Sequence, residues 1–133
     1  MKTVQVDIVT PERTVFEGEA EMVIAKGADG ELGVLAGHIP LVTPLKIAPI
    51  RIKQSDGELQ LAISGGFLEV RPDKVTVLAE TAERAEEIDV DRAQEAKARA
   101  EQKLQGLDPS DPEYEEYQQD LQKAETRLQV AKS

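Results

Sequence analysis

The sequence predicts an α+β fold: an antiparallel β-sandwich over residues 1–86, then an α-helical hairpin over residues 87–133. Three observations predict it. Up to residue 80, short apolar alternations are separated by glycine- and proline-marked turns at roughly 8–12-residue spacing, the rhythm of a sandwich or barrel. From Asp89 onward the apolar period lengthens to three or four residues, which is helical. Between two such helical stretches stand Gly106, Pro109 and Pro112, a stop followed by a restart.

In order, Val4, Val6 and Ile8 alternate with Gln5 and Asp7, as a strand with one buried face requires. Pro11 ends that strand, because proline lacks the N–H that a ladder needs. A second extended region covers residues 14–26, with Gly18 as a break and Met22 and Ile24 on the face opposite Val23 and Ala25. The string GADG at 27–30 is a turn whose glycines accept positive φ. Pro44 and Pro49 confine the apolar stretch at 41–52 to sheet edges, bulges or bends. The string SDGE at 55–58 joins two alternating runs as a hairpin, and SGG at 64–66 and RPDK at 71–74 mark the next turns. With Phe16 and Phe67 its only aromatics, this domain must build an aliphatic core.

In the C-terminal part, Ala93, Ala96, Ala100, Leu104 and Leu107 form one helical stripe. Tyr114, Tyr117, Leu121, Ala124, Leu128 and Ala131 form the facing seam, and Ser110 with Glu113 has the spacing of a capping box. The first stripe is mostly alanine, and a buried CH₂ contributes only about 0.8 kcal/mol. A hairpin so lightly packed needs an external surface or a ligand to hold one arrangement.

The formal net charge of −10 argues against nucleic-acid binding. The chain has no cysteine, so disulfides and thiolate metal sites are excluded. The N-terminus has no unbroken apolar run of the signal-peptide kind. No apolar run approaches the roughly 20 residues that span a bilayer. The expectation is a soluble cytosolic protein that reaches a membrane only through partners. His38 is the single histidine and has no second soft ligand, which points to a turn or a partner contact, not a metal. With no nucleophile elbow and no phosphate-cradling loop, no enzymatic activity is expected.

One constellation invites a ligand. Asp89, Arg92, Ala96 and Arg99 share a face of the first helix, and Lys123 and Arg127 form an i, i+4 pair on the second. Folded together, the helices present four cations to one polyphosphate. Charged helix faces are also commonplace solvated surface with local pairs such as Arg92 to Glu95, and composition by itself favours that plainer reading.

The strings GELGVL at 30–35, GHIPLVT at 37–43, SGGFLEV at 64–70, VTVLA at 75–79 and IDVDRA at 88–93 resemble, in order, the ε subunits of bacterial F-type ATP synthases, those of bacilli above all. The resemblance spans essentially the whole chain. It implies a sandwich of ten strands, a place in the central stalk against the γ subunit and the c-ring, and a hairpin that inhibits ATP hydrolysis when it extends toward the α and β subunits. It implies residence on the cytoplasmic side of the bacterial plasma membrane as a peripheral subunit. Glu31, and with it His38, falls where the family meets the c-ring or γ. Some members bind ATP, with or without Mg²⁺, as a regulatory ligand through Ile/Leu-Asp-x-x-Arg-Ala, which Ile88, Asp89, Arg92 and Ala93 satisfy. On that analogy Asp89 and the Ile88 backbone read adenine, and Arg92 and Arg99 meet phosphate. Glu83 orients the cluster, and Lys123 and Arg127 complete it. Asp91 and Glu95 add negative charge beside the site and weaken it. Two or three charge-assisted hydrogen bonds of about 1.5–3 kcal/mol each, less the ordering of the hairpin, imply micromolar-to-millimolar affinity. The alternative is a free-standing ATP-binding sensor.

Overall fold

A computed structural model describes residues 2–132; Met1 and Ser133, the outer ends of the two expected domains, lie outside the described residues. The chain runs β1 (Val4–Val9), β2 (Thr14–Ala20), β3 (Met22–Gly27), β4 (Gly30–Val34), β5 (Leu41–Gln54), β6 (Gly57–Val70), β7 (Lys74–Ala79) and β8 (Ala82–Arg84). A single 3₁₀ turn (Ala85–Glu87) leads into α1 (Val90–Gln105) and α2 (Tyr114–Ala131). The strands are ordered β2-β1-β7-β6-β5-β3-β4, with β8 beside β6. All neighbours are antiparallel except β1 and β7, a correction to the purely antiparallel expectation. The chain returns to β7 only after the long β5–β6 hairpin, and arrives beside β1 running in the same direction.

Among the described residues eight strands, not ten, are hydrogen-bonded elements, and the difference has a physical origin in β5 and β6, 14 residues each. In β5 the core-facing side chains are Thr43 and Leu45 and then Ile50 and Ile52, so the alternation changes phase between the two halves. In β6 it changes in step, from Leu61 and Ile63 to Leu68 and Val70. A phase change turns the other face of a strand inward. The first half of β5 and the second half of β6 therefore belong with β1, β2 and β7, and the remaining halves with β3, β4 and β8. Counted as two segments each, the long strands bring the sandwich to ten. The bend falls at Lys46 and Gly65, which are skipped in the pairing register. Pro49 is tolerated because β3 has no partner in β5 between Leu45 and Arg51, and Pro44 because it lies just beyond Leu45, where the β3–β5 pairing ends.

The core between the layers is aliphatic, as expected: Val6, Ile8, Ile52, Leu61, Leu68, Val75 and Val77 are fully buried. Phe16 joins it, whereas Phe67 points outward. The parallel pair is also bridged outside the core, where Lys74 Nζ lies 2.9 Å from Asp7 Oδ2. That ammonium, helped by the Gln5 amide, holds the Asp7 carboxyl below its ordinary value of 3.8. A depressed carboxyl contributes stability that is complete above its unfolded value and is lost as pH falls through the folded one. The thermal midpoint of wild type is therefore expected to fall more steeply below about pH 4 than that of Asp7→Asn, measured by circular dichroism.

The hairpin is folded on the sandwich, with α2 against β5, β6 and β8 and α1 packed on α2. Ala93 and Ala100 of α1 and Ala124 of α2 are buried in the expected alanine seam. The seat on the sandwich is a smaller cluster of Ala62, Ile88 and Val130, flanked by buried Thr126. The expected capping box is not formed. The Ser110 hydroxyl and amide donate to Asp108 Oδ1 at 2.8 and 3.0 Å, which commits Ser110 to a turn, and α2 begins later, with Glu113 as a cap that makes no side-chain bond.

Candidate nucleotide site between the helices

Because α1 meets α2 through alanines, the helices leave room beside the seam. A cleft of about 240 Å³ opens there, floored by Ala96, Ala100 and Ala124 and rimmed by Arg99, Tyr117, Asp120, Lys123 and Arg127. Three of the expected site residues, Arg99, Lys123 and Arg127, thus converge on one space. Its volume is below the roughly 300–1,000 Å³ of pockets that enclose a whole small molecule. It suits a polyphosphate or a ring with the remainder of the ligand in solvent.

Arg127 is already engaged on one side. Its Nε lies 2.8 Å from Glu83 Oε1, an ionic contact in which the N–H is not aimed at the oxygen, and its Nη2 donates to Oε2 at 3.2 Å. Glu83 sits in β8, so this pair ties α2 to the sandwich and sets the direction of the guanidinium. The Nη1 donors stay available to a ligand. Lys123 borders the cleft and also a polar groove of about 740 Å³ between α2 and the bend of β5 and β6.

The other expected residues do different work. The Asp89 carboxylate accepts the Arg92 backbone N–H at 3.1 Å and caps α1, with Asp89 φ −81° and ψ 100°. Ile88 is buried in the seat and Ala93 in the seam. Arg92 is exposed on the first turn of α1, about 10 Å along the axis from Arg99, and does not line the cleft. Asp91 and Glu95 are exposed on the same helix. Tyr117 and Asp120 are the members sequence reasoning missed. Asp120 stands one turn before Lys123, a spacing that could have flagged it, and its carboxylate opposes a phosphate in the cleft.

Glu31 is exposed in β4, and His38 is half-buried in the loop that follows, its Nδ1 donating to the Ile39 carbonyl at 2.7 Å. That loop carries Leu35 and Ile39, the latter 78% exposed. In the sandwich, Pro44, Phe67 and Leu78 form a row of directly opposed residues across β5, β6 and β7. Val42, Phe67 and Leu78 are each more than half exposed, so this layer shows an apolar outer face. The unbroken apolar character of 67–68 and 77–79 was the available signal.

Residues 3–85 match the family model of the ATP synthase delta/epsilon chain β-sandwich domain, and residues 86–132 that of its long α-helix domain. The chain belongs to the ATP synthase delta/epsilon chain family. It is 53% identical over 131 residues to the ATP synthase epsilon chain of an Exiguobacterium species, covering 98% of this chain and 96% of that one. To the ATP synthase epsilon chain of Brevibacillus brevis it is 59% identical over 105 residues, 78% of this chain and 80% of the other. Among solved structures it resembles a chain in the cryo-EM structure of Euglena gracilis mitochondrial ATP synthase, determined as an OSCP/F1/c-ring assembly. The TM-score is 0.81 at 25% identity, over 98% of this chain and 82% of that one. This is an epsilon-type, non-catalytic subunit of ATP synthase. Among the described residues no helix is long and apolar enough to cross a membrane.

Proposed function

We propose that this subunit is part of the central rotor of a bacterial F-type ATP synthase. In this reading residues 1–86 join the γ subunit to the c-ring, and residues 87–133 restrain ATP hydrolysis by their position against the α and β subunits. ATP favours the folded position. The apolar row at Pro44, Phe67 and Leu78 and the exposed loop with Leu35, His38 and Ile39, near Glu31 in sequence, offer the sandwich surfaces for protein partners, which favours a subunit over a free-standing sensor. The complex lies peripherally on the cytoplasmic side of the plasma membrane.

The observation that carries the regulatory half is the cleft, in which Arg99 from α1 meets Lys123 and Arg127 from α2. Those cations converge only while the helices are packed, so a polyphosphate there has the differential affinity for the folded state that a switch requires. The seat it must reinforce is small: one fully buried valine contributes about 1.5–3 kcal/mol and a partly exposed ion pair less. A weak ligand is enough to shift such a balance.

Calorimetric titration of the isolated chain with ATP tests this. Binding in the micromolar-to-millimolar range is expected, with Arg99→Ala weakening it about 10- to 100-fold, the equivalent of one charge-assisted hydrogen bond. Absence of wild-type binding at millimolar ATP would refute the sensor role.

A further inference from the structure

The cleft between the helices contains one group of the wrong sign for a bare phosphate. Asp120 stands on its rim with Arg99, Lys123 and Arg127, above a floor of Ala96, Ala100 and Ala124 whose side chains offer nothing polar. Asp120 lies one turn before Lys123, a spacing at which opposite charges on a helix commonly pair. Here they do not. Among the described residues no ion pair includes Arg99, Lys123 or Asp120, whereas Arg127 is paired with Glu83. The Asp120 carboxylate thus stays unpaired, although three cations share its cleft.

The electrostatic consequence is specific. Glu83 and Asp120 offset two of the three cations, so the cleft and its immediate surround carry a single net positive charge. A triphosphate without metal carries about four negative charges, and its Mg²⁺ complex about two. A sphere of the cleft's 240 Å³ is about 8 Å across, no more than the Debye length at physiological ionic strength. Salt therefore does not hide Asp120 from a phosphate held by Arg99 and Lys123, and bare polyphosphate is repelled.

A divalent cation reverses that sign. Mg²⁺ is bound by one or two carboxylates together with phosphate oxygens and several retained waters, not by a cage of protein ligands. Among the described residues no three acidic or histidine side chains gather as a preformed metal site, so the ion must arrive with its phosphates. Asp120 supplies the one carboxylate, and the polyphosphate brings the remaining oxygens.

We propose that the cleft takes its polyphosphate as the Mg²⁺ complex, and that Asp120 selects this form by meeting the ion directly or through one of its waters. This builds on the reading of the cleft as an ATP site and names the species that occupies it. Arg99 and Lys123 hold phosphate oxygens, Asp120 faces the ion, and the same carboxylate turns metal-free nucleotide away. The hairpin then answers to Mg²⁺-complexed nucleotide, not to total nucleotide.

Calorimetric titration of the full chain with ATP, in excess EDTA and in excess Mg²⁺, tests the assignment. Wild type is expected to bind ATP about 10-fold more tightly with Mg²⁺ than without it. Asp120→Asn removes the charge and keeps the shape. It should bind metal-free ATP about 10-fold more tightly than wild type does and lose the preference for Mg²⁺. Glu125→Gln controls for overall charge, since Glu125 lies on α2 beside the polar groove and outside the cleft. That variant should keep the wild-type preference. Wild type that binds metal-free ATP as tightly as the complex would overturn the proposal, and so would an equal Mg²⁺ preference in wild type and Asp120→Asn; either result leaves the ATP site standing. A gain by Asp120→Asn that is the same for both forms would reduce Asp120 to a repulsive charge with no part in holding the ion. A change in Glu125→Gln as large as in Asp120→Asn would assign the effect to net charge instead. No binding by any of the three chains in either buffer would remove the nucleotide site itself, and the role of Asp120 with it.

Discussion

Replacing Gly66 by alanine is expected to destabilise the sandwich by about 3 kcal/mol or more, lowering its thermal midpoint by about 10 °C. Two independent costs meet at this position. Its φ of 140° is a conformation that side chains other than hydrogen rarely adopt. A Cβ there would also collide with the Leu78 carbonyl oxygen and stand 2.8 Å from Ala79 Cα, both backbone atoms of β7 that have no rotamer by which to escape. Gly37 separates the two terms, because its φ of 83° is also positive but nothing lies within 4 Å of an added Cβ. Gly37→Ala should therefore cost only about 1 kcal/mol. Equal losses for the two variants, measured by thermal or urea unfolding, would remove the close approach of β7 from the explanation.

Gly66 also marks where the sequence ceased to be readable. The string SGG at 64–66 reads as a turn between two short strands, because paired glycines ordinarily end a strand. Here they bend one continuous strand from the layer containing β8 to the layer containing β7, and Glu80 N–H still bonds to the Gly65 carbonyl at 3.1 Å. Local pattern distinguishes a turn from a bend only through the partner strand, and that partner, β5, bends at Lys46 with no glycine to announce it. The parallel β1–β7 pair was illegible for a related reason. Alternation specifies a face, not a neighbour or a direction.

Legibility at the site followed the same division. Helical spacing placed Asp89, Arg92 and Arg99 on one face of α1, and i, i+4 spacing placed Lys123 beside Arg127, because both relations are local. The split among them was not readable. Asp89 is spent on capping, Arg92 is left at the open end, and Arg99 faces α2, all consequences of how far the alanine seam lets the helices approach. Nor did the stripe at Tyr114, Tyr117, Leu121, Ala124 and Leu128 reveal that α2 has a second buried face. Thr126 and Val130 face the sandwich, and a polar threonine with one valine makes too short a pattern to register as a stripe.

Ending the chain after Ile88 is expected to leave binding to γ intact and to raise ATP hydrolysis by the assembled complex several-fold. The sandwich should survive because every residue of its main core, from Val4 to Ala82, precedes the cut, and the hairpin contributes only the separate cluster around Val130. The exposed row at Pro44, Phe67 and Leu78 also stays whole. What disappears is the alanine seam, the Arg127–Glu83 latch and the charged cleft, all of which belong to the part proposed to move. If the hairpin restrains hydrolysis only in the fraction of complexes where it is extended, ATP that holds it folded and truncation should act in the same direction. The gain on truncation should then be larger at low ATP than at high ATP, since saturating ligand has already withdrawn the inhibitor. A truncated complex with unchanged hydrolysis at every ATP concentration would leave the hairpin without a regulatory role. Loss of assembly would show instead that residues beyond Ile88 are part of the mount on γ.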